Sequence, residues 1–207
     1  MNGAWDRPVG RSARLLAGLV LFGLALALLV EADLGLDPWS VFNQGISRHT
    51  GLSLGTITVI VSILLLGLWI PLRQRPGAGT VANALIVGPV IDLGLAVIPD
   101  PGSAPAQVAY MLAAIAGSAV ATGLYVGAGW GPGPRDGLMT GLADRGVPIA
   151  VARGGIELTV LVIGWALGGT VGVATVLFAA AIGLLVKQAL LRLAIPALSA
   201  PVPRLTT

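Results

Sequence analysis

Trp130-Gly131-Pro132-Gly133-Pro134-Arg135-Asp136 reads as a break in a helical chain. Leu34-Gly35-Leu36-Asp37-Pro38-Trp39-Ser40 reads the same way. An offset of 96 positions carries one onto the other, setting Gly35 on Gly131 and Pro38 on Pro134. The same offset sets Gly45 on Gly141, Trp69 on Trp165, and Leu15-Leu16-Ala17 on Met111-Leu112-Ala113. An offset of 95 sets Gly77-Ala78-Gly79-Thr80-Val81 on Gly172-Val173-Ala174-Thr175-Val176, and Gly88 on Gly183. Matches kept in order across most of a chain point to an internal duplication.

The surroundings of both breaks are apolar. Charged residues make up 10% of the chain and hydrophobic ones 56%, and mean hydropathy is +0.92. A soluble domain carries about 25% charged residues, so this supply cannot cover a water-facing surface. That excludes an ordinary soluble protein and a disordered chain, and the absence of Cys excludes a disulfide scaffold. Membrane helices tolerate the 30 Gly and 14 Pro. A bilayer core about 30 Å thick needs roughly 20 apolar helical residues. Six stretches qualify: 12–32, 53–72, 77–98, 105–128, 147–167 and 171–193. The first also resembles a signal peptide, with Arg7, Arg11 and Arg14 ahead of the apolar run and Val30-Glu31-Ala32 behind it. Its match in the second half favours a span.

Three spans fall in each half, 12–98 and 105–193. An odd number forces the second half to lie upside down, giving an inverted-topology repeat, a plan common in secondary transporters. The expected fold is therefore an all-α polytopic bundle of six transmembrane helices, one membrane domain over 1–207 with a cytoplasmic tail at 194–207. With the N-terminus in the cytoplasm, eleven of the twelve Lys and Arg residues lie inside and Arg48 alone lies outside. That is the bias expected of a multi-pass protein of a bacterial inner membrane with both termini cytoplasmic. The net charge of +3 reflects this topology; the basic residues are scattered singly, with no nucleic-acid patch.

Each half also holds a short helix after its break, over 38–50 and 134–145. Asp37-Pro38 is a good helix start, a carboxylate cap with Pro in the first turn. Thirteen residues make about 20 Å of helix, too short and too polar to cross. Two arrangements are open. The helices lie on opposite membrane surfaces, or they re-enter the bundle with their N-termini facing each other. The second arrangement would aim free N–H groups and partial positive charge at an anion or polar substrate.

Ionisable groups inside spans mark pairing or functional sites. Glu157, four residues after Arg153, either forms a local ion pair with it or serves as a proton or cation carboxylate facing a cavity. Asp92 and Lys187 correspond under the repeat, as do Arg48 and Asp144 at the short-helix ends. This predicts Arg48–Asp92 and Asp144–Lys187 pairs, acting as gates or as staples. Ser40 and Asp136 follow the matched prolines and either cap the short helices or face a substrate. Asn43, Gln44 and Asn83 are further polar candidates. The five Trp residues suit an interfacial belt, with Trp39 and Trp130 also placed to line a cavity. No metal or cofactor is expected: Cys is absent and His49 stands alone. There is no nucleophile elbow, zinc-protease motif, phosphate loop or dinucleotide fingerprint, so no enzyme is expected.

Three segments carry a family resemblance: Gly35-Leu36-Asp37-Pro38-Trp39-Ser40-Val41; Arg73-Gln74-Arg75-Pro76-Gly77 with Gly79-Thr80; and Gly133-Pro134-Arg135-Asp136-Gly137-Leu138-Met139. They resemble the YczE branch of the YczE/YyaS/YitT bacterial membrane proteins, over nearly the whole chain. The resemblance implies a polytopic inner-membrane protein and supplies no substrate or site residues. The architecture leads us to expect a small-molecule transporter or exporter with its site between the two short helices. The rival is an accessory or regulatory membrane protein acting through helix contacts. The partners expected are the lipid bilayer and an unidentified small molecule. Substrate, direction, coupling ion and oligomeric state are not legible.

Overall fold

The computed structural model describes residues 8–193. Arg7, Arg204, Trp5 and the tail at 194–207 lie outside the described residues. Among the described residues there are eight helices and no strand: α1 (Pro8–Glu31), α2 (Pro38–Thr50), α3 (Leu54–Trp69), α4 (Ala78–Val97), α5 (Ala104–Gly127), α6 (Pro134–Ala143), α7 (Ile149–Ala166) and α8 (Val173–Leu193). Five of them, α1, α4, α5, α7 and α8, are long and apolar enough to cross a membrane. The second expected span is shorter than its apolar run: α3 has 16 residues, about 24 Å of rise. It reaches crossing length only together with α2, and the two are bent by 114° at their junction. The second short helix ends at Ala143 rather than 145.

Packing is centred on α1 and α5, which lie against each other; α4 packs on α1 and α8 on α5. The short helices cross over between halves, α2 onto α7 and α6 onto α3. Leu19, Leu26 and Leu29 of α1 are fully buried at the centre. Large apolar side chains such as Leu64, Leu93, Leu158 and Leu184 stand outward and exposed. This is the pattern of a bundle whose solvent is lipid.

The two break loops are held alike. Gly35 and Gly131 both take positive φ, +107° and +117°, where a side chain would be strained. The Leu34 carbonyl accepts from Ala174 N at 2.8 Å, at the start of α8. The Trp130 carbonyl accepts from Gly79 N at 2.8 Å, at the start of α4. Thr175 and Thr80 then take the amides of Gly172 and Gly77 at 3.1 and 3.2 Å. Each loop thus satisfies its irregular backbone against the entry of a long helix, as buried polar backbone requires. The outer ends of the short helices are also tied alike. Arg48 donates to Gly168 O and to Thr170 Oγ1, past the end of α7. Arg145 donates to Pro71 O at 2.7 Å and Leu72 O at 2.9 Å, past the end of α3.

The seam between α3 and α4 is closed by Gly55 and Gly88. A Cβ on either would strike the other's carbonyl, so the two backbones lie in contact. Asp92 finishes the seam, accepting from Ser53 Oγ at 2.5 Å and from Gly55 N at 2.8 Å. A methyl group on Gly88 would also come within 2.6 Å of Val59 Cγ2, whereas one on Gly183 meets nothing within 4 Å. Overpacking of this kind costs about 1–3 kcal/mol. Gly88→Ala should therefore lower the thermal unfolding temperature in detergent, and Gly183→Ala should leave it unchanged.

Candidate functional site

The first turns of α2 and α6 meet inside the bundle. Asp37, Pro38, Trp39 and Ser40 are buried, and Pro134 is fully so. Asp37 Oδ2 lies 3.5 Å from Arg135 Nη1, joining one break to the other. Arg135 also lies 5.2 Å over the Trp39 ring, a cation–π contact. Trp69 Nε1 donates to the Pro134 carbonyl at 3.0 Å, fixing the start of α6 from α3.

Around this junction lies a cavity of about 120 Å³ to which all eight helices contribute side chains. A water needs roughly 10–15 Å³ and several polar partners, so this space can hold water. Its walls carry three carboxylates and two guanidiniums: Asp37, Asp136 and Glu157, Arg135 and Arg153. Thr58, Asn83 and Tyr125 add neutral polar groups. Both short-helix N-termini already hold a carboxylate. Asp37 Oδ2 accepts from Ser40 N at 3.2 Å, and Asp136 Oδ2 accepts from Gly133 N at 3.2 Å and Tyr125 OH at 3.4 Å. The partial positive charge of each helix start is therefore spent on its own chain. An anionic ligand, the expectation from bare helix N-termini, would meet carboxylates there instead. On α7, Arg153 Nε donates to Glu157 Oε1 at 3.0 Å, and both face the cavity.

A family model described as "Family of unknown function (DUF6198)" matches residues 9–190. An uncharacterised protein of Haemophilus influenzae is 34% identical over 184 residues, 88% of this chain and 84% of that one. The uncharacterised membrane protein YczE of Bacillus subtilis is 31% identical over 177 residues, 84% of this chain and 82% of its own length. The chain belongs to the YczE-type family. The uncharacterised protein YyaS of Bacillus subtilis is 31% identical over 84 residues, 40% of this chain and 42% of its own length. No solved structure matches the chain. The membrane relative and the apolar helices together make this a multi-pass helical membrane protein, with the bilayer as its surroundings.

The structure brings together only some of the residues singled out from sequence. Trp39, Asp136, Arg153 and Glu157 line the cavity, with Asn83. Ser40 is buried behind it as the backbone partner of Asp37. Asn43 is buried one turn on, donating to Thr58 Oγ1 at 3.0 Å while its Oδ1 has no partner. Gln44 accepts from Thr170 N at 2.7 Å. Trp130 does not line the cavity; it packs under Arg11, 4.9 Å away. Trp165 is exposed, as a lipid belt requires, but Trp69 is only 2% exposed.

The two ion pairs expected at the short-helix ends do not form. Asp92 is occupied by Ser53 and Gly55, and Arg48 by the end of α7. Asp144 accepts from Gln74 Nε2 at 2.7 Å, and Lys187 is exposed. The repeat match was one residue out: Arg48 acts as Arg145 does, not as Asp144. Among the described residues the only ion pairs are Asp37–Arg135 and Arg153–Glu157.

Asp37 and Arg135 escaped the sequence reading, one taken as a helix cap and the other as a topology marker. They flank the matched prolines, Asp37 just before one and Arg135 just after the other. That opposite-sign placement at two matched breaks was the available signal. Removing one partner of a buried pair leaves a bare charge and costs about 3–5 kcal/mol. Asp37→Asn and Arg135→Gln should each lower stability in detergent, and the double variant should lose less than the two single losses combined. Additive losses would mean that the pair is not coupled.

Proposed function

We propose that this protein is a small-molecule transporter of a bacterial inner membrane, with its site in the cavity where α2 and α6 meet. The observation that carries this reading is the cavity itself. A polar space large enough for several waters, lined by five ionisable side chains and by residues of every helix, is costly in a membrane bundle, and Glu157 and Arg153 in its wall cap neither short helix.

In this reading the two halves are inverted repeats and the short helices are re-entrant. The matched ties support it: Leu34 with Ala174 and Trp130 with Gly79, Arg48 with the end of α7 and Arg145 with the end of α3. The buried first turn and exposed last turn of α2, and the fully buried Pro134 at the start of α6, support re-entry over a surface position. Both termini are assigned to the cytoplasm from the Lys and Arg bias. Glu157, ninth of the 18 residues of α7, is the carboxylate assigned to proton or cation coupling. Asp37 and Arg135 hold the two helix starts together in one state of the cycle.

The chain has no Cys, so single cysteines report directly. Cys placed at Asp136 or Glu157 should react with membrane-impermeant thiol reagents, at least one of them from either side of sealed vesicles, while Cys at the buried Ser40 should stay protected. Complete protection of Asp136 and Glu157, with no flux in proteoliposomes, would favour the accessory role instead. Glu157→Gln should abolish proton-coupled flux, and unchanged flux would remove Glu157 from the mechanism.

A further inference from the structure

Of the two corresponding seams, one is shut and the other is open. Gly55 and Gly88 bring α3 and α4 into backbone contact, and Asp92 clasps Ser53. α7 and α8 share no packed face. A Cβ on Gly183 would meet nothing within 4 Å. The sequence accounts for the difference. Within one residue of the offset of 96, Gly55 falls on Ala150, Val151 or Ala152 and Ser53 on Pro148, Ile149 or Ala150, and by the offset of 95 Asp92 falls on Lys187. In each register a side chain replaces the hydrogen that allowed close approach, and neither member of the clasp is present. Gly183 remains where Gly88 was, with no helix against it.

The cavity extends to this open seam. Phe178, Ile182 and Val186 of α8 line it on one side, Arg153 and Glu157 of α7 on the other. The Arg153 and Glu157 side chains keep 43% and 24% exposure. Charges within a membrane helix are costly against hydrocarbon, and here the two face the cavity and answer each other, Arg153 Nε donating to Glu157 Oε1. Further in, Asp37 is 3% exposed, and its Oδ1 has no hydrogen-bond partner. Carboxylates outnumber guanidiniums in the cavity by three to two. Both helix N-termini are already neutralised by Asp37 and Asp136. A buried carboxylate oxygen without a partner, in a cavity lined by more carboxylates than guanidiniums, is best met by a cationic N–H donor.

We propose that the cavity binds an amphiphilic amine that enters sideways from the bilayer between α7 and α8. Its ammonium group goes to the carboxylates of the cavity wall, Asp37 foremost, and its alkyl chain lies in the open seam against Ile182 and Val186. The polar inner end and apolar mouth of one continuous space fit a molecule with those two ends. This deepens the transport reading and shares its cavity, but binding is measured apart from transport.

The test is saturable binding of radiolabelled dodecylamine to the full-length protein in phosphatidylcholine nanodiscs, with unlabelled amphiphiles as competitors. Unlabelled dodecylamine should displace the label, and dodecyl sulfate should not. Gly183→Trp should fill the seam and weaken binding at least tenfold. Gly67→Trp, placed in equally open space on α3, should leave binding unchanged. Asp37→Asn should also weaken binding at least tenfold. If that variant fails to fold, Asp37→Asn with Arg135→Gln removes both charges and serves in its place.

Competition by phosphatidylethanolamine would support the site with the bilayer as the amine's source. Its failure to compete, with dodecylamine still bound, would support a free amphiphile. Equal displacement by dodecyl sulfate overturns the amine, and undiminished binding in Gly183→Trp overturns the lateral route. Absence of saturable binding overturns the whole inference, yet leaves the transport reading standing if cysteines still label from both sides. Binding without two-sided labelling does the reverse.

Discussion

Two helices start in the middle of this bundle, and everything else answers the cost of that. A helix start exposes backbone N–H groups, and the loop leading into it exposes more. In water these would be solvated; inside a membrane bundle they need protein partners or a wet cavity. The structure supplies both. Asp37 and Asp136 take the first amides, Arg135 and Asp37 join across the gap, and the remaining loop carbonyls turn outward to the entries of α4 and α8. The glycines at positive φ, the prolines in the first turns and the paired threonines all follow from those two interruptions.

Much of this was legible because the breaks repeat. Pro and Gly at a fixed offset located the short helices, and the 38–50 range agrees with α2 residue for residue. Five of the six span positions followed from hydropathy alone, since a lipid-facing helix needs no pattern beyond an apolar run; the run at 53–72 holds α3, too short to cross by itself. The pairing of charges was not legible. The expected partner of Arg48 was chosen by sequence correspondence, but hydrogen bonds are settled by local depth and reach. Asp92 lay close to an exposed helix start and was consumed by it, while Arg48 reached the free carbonyl end of a neighbouring span. A cation at a helix C-terminus and a carboxylate at a helix N-terminus each meet the favoured end of the dipole.

The seams show how little sequence separates a closed contact from an open one. Gly55 facing Gly88 brings two helices to backbone distance; Gly183 has no helix against it. Close helix approach in a membrane depends on small residues on both sides, because lipid competes for every other contact. The α3–α4 seam has small residues on both sides and the α7–α8 seam does not bring its helices together.

The arginines at the far ends of the short helices have a mechanical meaning as well. Arg48 fastens α2 to the end of α7, and Arg145 fastens α6 to the end of α3. Each short helix is thus tied at its far end to a long helix of the opposite half. The Asp37–Arg135 pair ties the two short helices to each other at their near ends, so one unbroken line of polar contacts runs from the end of α7 through both short helices to the end of α3.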